Sequence, residues 1–220
     1  MRALFSNRLD AGRQLAGALS SYSARADALV LALPRGGVPV GFALAEKLRL
    51  PLDIFLVRKL GVPGQPELAM GAVAGGGVRV INTEVVRELN ISAEEFEQVA
   101  GREQQELERR ARLFREGHPQ LDVRDRIVIL VDDGLATGST MRAAVRALRS
   151  AVPREIIVAV PVGAAPTCDL LRSEADHVVC LATPQNFVAV GQWYEDFSET
   201  SDEQVTELLR RSRRHTPAIA

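Results

Sequence analysis

The stretch Ile127-Val128-Ile129-Leu130-Val131-Asp132-Asp133-Gly134-Leu135-Ala136-Thr137-Gly138-Ser139-Thr140-Met141 decides the fold. Its five consecutive apolar residues read as a buried strand, and the small and hydroxylated residues after Asp133 lead into a helix from about Ser139. Asp132 and Asp133 therefore stand at the carboxyl end of a strand, where open α/β sheets bind their ligands. Adjacent buried carboxylates repel one another and lose hydration, so they need compensating partners. Sugar hydroxyls suit them, since each donates a hydrogen bond to an ionised oxygen. The next residues offer backbone N–H groups, a helix N-terminus and the hydroxyls of Thr137, Ser139 and Thr140, all suited to a phosphate. Acceptors for a diol and donors for a phosphate within one segment match a ribose 5-phosphate.

Working outward, Ala28 to Leu33 is an apolar run that ends in Pro34-Arg35-Gly36-Gly37. A helix from about Val38 to Leu48 and a strand from Leu52 to Val57 follow. This β-loop-α-β unit is the building block of a parallel sheet. The alternation resumes with the Asp132 strand, a strand over Glu155–Val160, a helix from Thr167 and a strand over Val178–Leu181. Ahead of it all, residues 8–19 have helical spacing behind an Asn7 cap. Residues 58–68 carry two Gly, two Pro and two basic residues and are predicted to be a mobile loop. Leu68–Ala74 and Val78–Asn82 flank Gly75-Gly76-Gly77 as a hairpin. Residues 92–116 read as a long polar helix, with Ser92 and Glu95 as a capping box. Its thin stripe of Phe96, Val99, Leu107 and Phe114 suits an edge of the core or a homodimer contact. The last forty residues are irregular up to Ser201 and then helical, and the run Arg210-Arg211-Ser212-Arg213-Arg214 is predicted to be a solvated helix end. The fold class expected is α/β, a doubly wound parallel sheet with a small cap or hood and an extra long helix. One domain over residues 1–220 is expected, with a core at about 24–182, a helical insertion at about 84–117 and a cap at about 183–214.

Hydrophobic residues make up 46% and charged residues 25% of the 220 residues, as in ordinary globular chains. A net charge of -1 argues against a nucleic-acid partner. No stretch approaches the roughly 20 apolar residues that span a bilayer, and no signal-peptide core is present, so no membrane partner and a cytoplasmic location are expected. Cys168 and Cys180 are read as buried thiols, with a disulfide left open. His118, His177 and His215 show no metal-ligand spacing.

The Asp132 segment resembles the signature of type I phosphoribosyltransferases: an apolar strand, two acidic residues, three variable positions, then Thr-Gly-x-Thr. The resemblance implies that Asp132 and Asp133 hold the ribose hydroxyls of phosphoribosyl pyrophosphate. It also implies that Ala136, Thr137, Gly138, Ser139 and Thr140 hold its 5-phosphate. Arg35, Gly36 and Gly37 resemble the family's pyrophosphate loop; the glycines allow close backbone approach and Arg35 supplies a planar charged fork. Arg58 and Lys59 resemble its basic pyrophosphate-binding position, Lys59 being, with Lys47, one of two lysines in the chain. The 61–68 loop corresponds to a lid that excludes water from the donor. Mg2+ is the implied cofactor, with Asp132 and Asp133 as its protein ligands.

The implied reaction passes the phosphoribosyl group to a nitrogen nucleophile, a nucleobase by resemblance, and releases pyrophosphate. Ala136 stands where the 6-oxopurine enzymes carry an aspartate base, so that subclass is disfavoured. The loop is closer to adenine-type enzymes, whose glutamate would correspond to Glu67. Phe187 and Val188 faintly resemble a base-stacking aromatic and its neighbour, although Asn186 replaces the usual lysine. The alternative is a sensor or regulator that binds the donor without turning it over. A dinucleotide enzyme is disfavoured by the lack of Gly-x-Gly-x-x-Gly after the first strand.

Overall fold

The computed structural model describes residues 3–215, apart from the side chains of Pro66, Glu67 and His215. Five strands form an all-parallel sheet: β1 (Ala28–Ala32), β2 (Leu52–Ile54), β6 (Ile127–Val131), β7 (Glu155–Val162) and β8 (His177–Ala182), in the order β2-β1-β6-β7-β8. Every residue of β1 and β6 is buried. Strands covered on both faces need continuous apolar runs rather than alternation, which is the pattern their sequences carry. On one face lie α1 (Arg8–Ala18), α2 (Gly37–Leu48) and, over the β2 edge, α7 (Asp202–His215). On the other lie α5 (Ser139–Ser150) and α6 (Ala165–Leu171).

The expected caps form. Asn7 accepts a hydrogen bond from the Asp10 amide at 3.0 Å. Ser92 and Glu95 close the capping box of α4 (Ala93–Arg115), which buries Phe96, Ala100, Leu107 and Phe114. The short helix α3 (Thr83–Glu88) precedes it.

A second sheet, antiparallel, consists of β3 (Val57–Val62), β4 (Gln65–Ala74) and β5 (Arg79–Ile81). The β4–β5 hairpin is the expected one. The predicted mobile loop at 58–68 is instead the end of the β3–β4 hairpin, in which Val62 pairs with Gln65. The Pro63-Gly64 turn explains the correction: proline presets the first turn position and Gly64 takes the left-handed φ of 80° that the second requires. The hairpin packs between α4 and α5, so composition typical of a loop became strand.

The reading of Cys168 and Cys180 as thiols holds, and one further expectation changes. The two free thiols are brought together beneath Gly163, where a Cβ would meet the two sulfurs at 2.8 and 3.4 Å. The basic end of α7 is not simply solvated. Ser212 is buried, and the Arg211 guanidinium lies 4.9 Å from the centre of the Phe42 ring.

Candidate active site

Strand order reverses between β1 and β6: one chain direction runs from β1 to β2, the other from β6 through β7 to β8. At such a switch point the loops leaving the two central strands diverge, and a crevice opens outside their carboxyl ends. The loops there are Pro34–Gly37 and Asp132–Gly138. β1 and β6 are in register from Ala28 opposite Ile127 to Ala32 opposite Val131, so the two loops start level and touch. A Cβ on Gly36 would overlap Asp133 Oδ2. One on Gly37 would come within 2.8 Å of the Val131 carbonyl and 3.0 Å of Asp132 Cα. Both positions therefore require glycine for space, not for turn conformation. The Pro34–Arg35 peptide is cis.

The second loop is braced by the β7–α6 connection. Leu135 N–H donates to the Val162 carbonyl and Ala164 N–H to that of Leu135, each at 2.9 Å. Thr167 Oγ1 donates to the Ala136 carbonyl at 2.7 Å. Gly138 has φ 70° and packs so tightly on Thr167 that a side chain there would clash. It delivers the chain into α5, whose N-terminus has neither a side-chain cap nor an acidic residue in its first turn. The first-turn amides and the exposed Thr137, Ser139 and Thr140 thus converge on open space, with Thr137 Oγ1 and Ser139 Oγ 3.3 Å apart. That is a donor set for an anion.

Burial drives the Asp132 carboxyl well above the usual carboxylate range, and the neighbouring Asp133 charge adds to this. Asp133 is raised by burial too, while Arg8 draws it back. Asp132 Oδ1 accepts from the Asp133 amide at 2.8 Å. Asp133 Oδ2 accepts from Arg8 Nε at 2.8 Å, and the Asp133 carbonyl accepts from the Tyr194 hydroxyl at 2.6 Å.

Of the other candidates, Arg35 pairs with Glu199 and stands 3.7 Å from Asp202. Arg58 turns to α4 and pairs with Glu103 at 2.6 Å. Strand alternation puts Lys59 on the opposite face of β3. A cavity of about 30 Å³ lies among Pro34, Val57, Arg58 and Thr140, so the start of β3 borders both loops. Glu67 is on β4, and its side chain lies outside the described residues. Phe187 packs into the hood cluster of Phe5, Trp193 and Tyr194, while Val188 is 78% exposed.

Sequence reasoning missed Arg8, Tyr194, Thr167 and Glu199. Tyr194 and Thr167 could have been suspected only as polar residues within apolar surroundings. Arg8 and Glu199 carry no local signal at all.

An all-parallel sheet with a carboxylate pair and an uncapped helix N-terminus at its switch point defines the class of open α/β proteins whose ligand crevice lies at the carboxyl ends of the strands. The chain belongs to the phosphoribosyl transferase domain family, whose profile matches residues 3–197. Two Mycobacterium tuberculosis proteins, from strains H37Rv and CDC 1551 and both named provisionally as phosphoribosyl transferases, are each 48% identical over 211 residues, 96% of this chain and 47% of theirs. The chain thus spans about half the length of these curated relatives. The crystal structure of TT1426 from Thermus thermophilus is 42% identical and superposes with a TM-score of 0.87, covering 96% of this chain and 99% of that one. Among the described residues no helix is long and apolar enough to cross a membrane.

Proposed function

We propose that this chain transfers the 5-phosphoribosyl group of phosphoribosyl pyrophosphate to a nitrogen nucleophile, a nucleobase by class, and releases pyrophosphate. The observation that carries the reading is the contact of Gly36 and Gly37 with Asp133 and Asp132 at the β1–β6 switch point, because it joins a pyrophosphate-type loop to a diol-and-phosphate loop. In this reading residues 136–140 and the N-terminus of α5 hold the 5-phosphate. Asp132 and Asp133 accept hydrogen bonds from the ribose hydroxyls and position the ring. Arg35, Lys59 and the amide at Gly36 face the pyrophosphate, while the Gly37 amide donates to the Leu33 carbonyl and holds the turn. Departure of pyrophosphate leaves positive charge on the ring, as in glycoside cleavage. The two fixed carboxylates lie beside that charge as it develops and favour it. Glu67 is the candidate for taking the acceptor's proton.

The carboxylate pair fits magnesium. The ion takes oxygen donors and is commonly held by one or two carboxylates together with substrate oxygens. Among the described residues there is no cluster of three or more ligating side chains that would form a full protein cage. When bound with the donor, magnesium neutralises pyrophosphate charge. Asp132 and Asp133 are the residues that would hold it.

Incubating the full chain with magnesium, donor and a panel of nucleobases, and following pyrophosphate release, tests the reading. Release that depends on one base class supports it. Donor binding without base-dependent release would reduce the chain to a donor-binding protein.

The two ends of the donor should also separate by mutation. Arg35→Ala and Lys59→Ala are expected to weaken pyrophosphate binding and leave ribose 5-phosphate binding unchanged. Glu199→Gln releases Arg35 from a carboxylate that competes with the ligand. It should tighten pyrophosphate by up to about fivefold, the scale of an exposed ion pair. Calorimetry with both ligands decides, and weaker pyrophosphate binding by Glu199→Gln would reverse the assignment of Arg35.

A further inference from the structure

Arg8 lies 125 residues from Asp133 in sequence and has three partners in space. Its Nε donates to Asp133 Oδ2 at 2.8 Å. Its Nη1 donates to the Ser198 carbonyl at 2.6 Å. The guanidinium lies 3.8 Å from the centre of the Phe197 ring. The side chain is only 11% exposed, unlike the solvated surface pairs that contribute little.

The backbone that carries Arg8 is fixed as well. Arg8 is the first residue of α1, directly after the Asn7 cap. The segment before it is tied to the hood by Leu4 and Phe5 amides donating to the Trp193 carbonyl at 2.9 and 3.1 Å. The segment after Trp193 returns the contact, Glu195 N–H donating to the Phe5 carbonyl at 2.9 Å.

Asp133 Oδ2 is thus held between Arg8 on one side and Gly36 on the other. With one oxygen fixed, the carboxylate cannot rotate, and Oδ1 is left to accept from a ligand hydroxyl. The guanidinium also offsets one of two adjacent negative charges. Asp132 Oδ1 instead accepts from the Asp133 amide next to it, and the Arg8 charge reaches Asp132 only at longer range.

We propose that Arg8 is a positioning residue for the ribose end of the donor site: by fixing Asp133 against Gly36, it presents the carboxylate pair to a vicinal diol already oriented. This rests on the reading that Asp132 and Asp133 bind the ribose. Arg8 acts through Asp133 and does not itself touch the reacting atoms. Its effect belongs to the sugar end of the donor and not to the pyrophosphate end, where Arg35 has separate partners.

Calorimetry on the full chain with magnesium, using ribose 5-phosphate and inorganic pyrophosphate as separate probes, tests this. Arg8→Gln should weaken ribose 5-phosphate about tenfold or more, the scale of a lost charge-assisted bond, and leave pyrophosphate within about twofold. Arg8→Lys should restore part of the loss, since it keeps the charge but not the planar fork. Phe197→Leu, which keeps Arg8 but removes its platform, should give a smaller loss with the same ligand pattern. It serves as the independent variant if Arg8→Gln folds poorly. Unchanged ribose 5-phosphate affinity in Arg8→Gln, or equal losses for both probes in the folded variants, would overturn the positioning role. Asp132→Asn with Asp133→Asn separates the levels. If that double variant loses ribose 5-phosphate and Arg8→Gln does not, only the Arg8 inference fails. If the double variant binds normally, the ribose assignment and the Arg8 inference fail together.

Discussion

Changing Asp132 and Asp133 together to asparagine should weaken donor binding by about 3–6 kcal/mol, because two charge-assisted hydrogen bonds are each worth roughly 1.5–3 kcal/mol. That is a factor of about one hundred or more, beyond any effect expected from the exposed cations. The variant should fold. It removes two like charges that burial disfavours and keeps the side-chain shape, with an amide oxygen that can still accept from Arg8 beside the Ser198 carbonyl and Phe197 contacts. Calorimetric titration with phosphoribosyl pyrophosphate and magnesium, beside a thermal melt, makes the measurement. Wild-type affinity in a folded double variant would remove the carboxylate pair from the donor site.

The second large effect is on stability. Asp53, 5% exposed, stands inside the edge strand β2, and Arg115, 7% exposed, closes the long helix α4. They pair at 3.2 Å. Arg115 Nη2 donates to the Ile54 carbonyl at 2.9 Å, and Asp53 Oδ2 accepts from the Leu121 amide at 3.1 Å. This buried pair ties α4 to the central sheet. Arg115→Ala leaves the buried Asp53 carboxylate with the Ile54 and Leu121 amides and only the more distant Arg213 charge, a change that costs about 3–5 kcal/mol. For a chain of this length that lowers Tm by about 10 °C. Replacing both partners with apolar residues (Asp53→Leu with Arg115→Met) should recover most of the loss, since no uncompensated charge is then left. Thermal unfolding of the two variants checks the pair. A Tm for Arg115→Ala within about 2 °C of wild type would show that the pair is not needed, given the usual few degrees per kcal/mol.

Asp53 illustrates where sequence reading ran out. It interrupts an apolar strand with nothing nearby to explain it, and its partner lies 62 residues away. The hairpin at 57–74 was missed for a different reason. Its Gly and Pro content predicts a mobile loop, whereas Val62-Pro63-Gly64-Gln65 is a two-residue turn whose flanking strands persist because α4 and α5 cover them.

What the sequence by itself determined is local. Uninterrupted apolar runs specified β1, β6 and β7 as strands buried on both faces, Asn7 and the Ser92–Glu95 pair set helix starts, and the Asp132–Thr140 composition marked the strand-to-helix loop at which the donor site is proposed. These signals act over a few residues, through backbone sterics, capping and hydrophobic periodicity, so they survive in one dimension. The tertiary structure decided which loops meet. The β2-β1-β6-β7-β8 order brings Gly36 against Asp133, and the hood returns Phe197, Ser198 and Glu199 to Arg8 and Arg35. Such contacts form only once the sheet has closed the intervening chain, and a charge facing solvent reads the same in sequence as one facing a buried carboxylate.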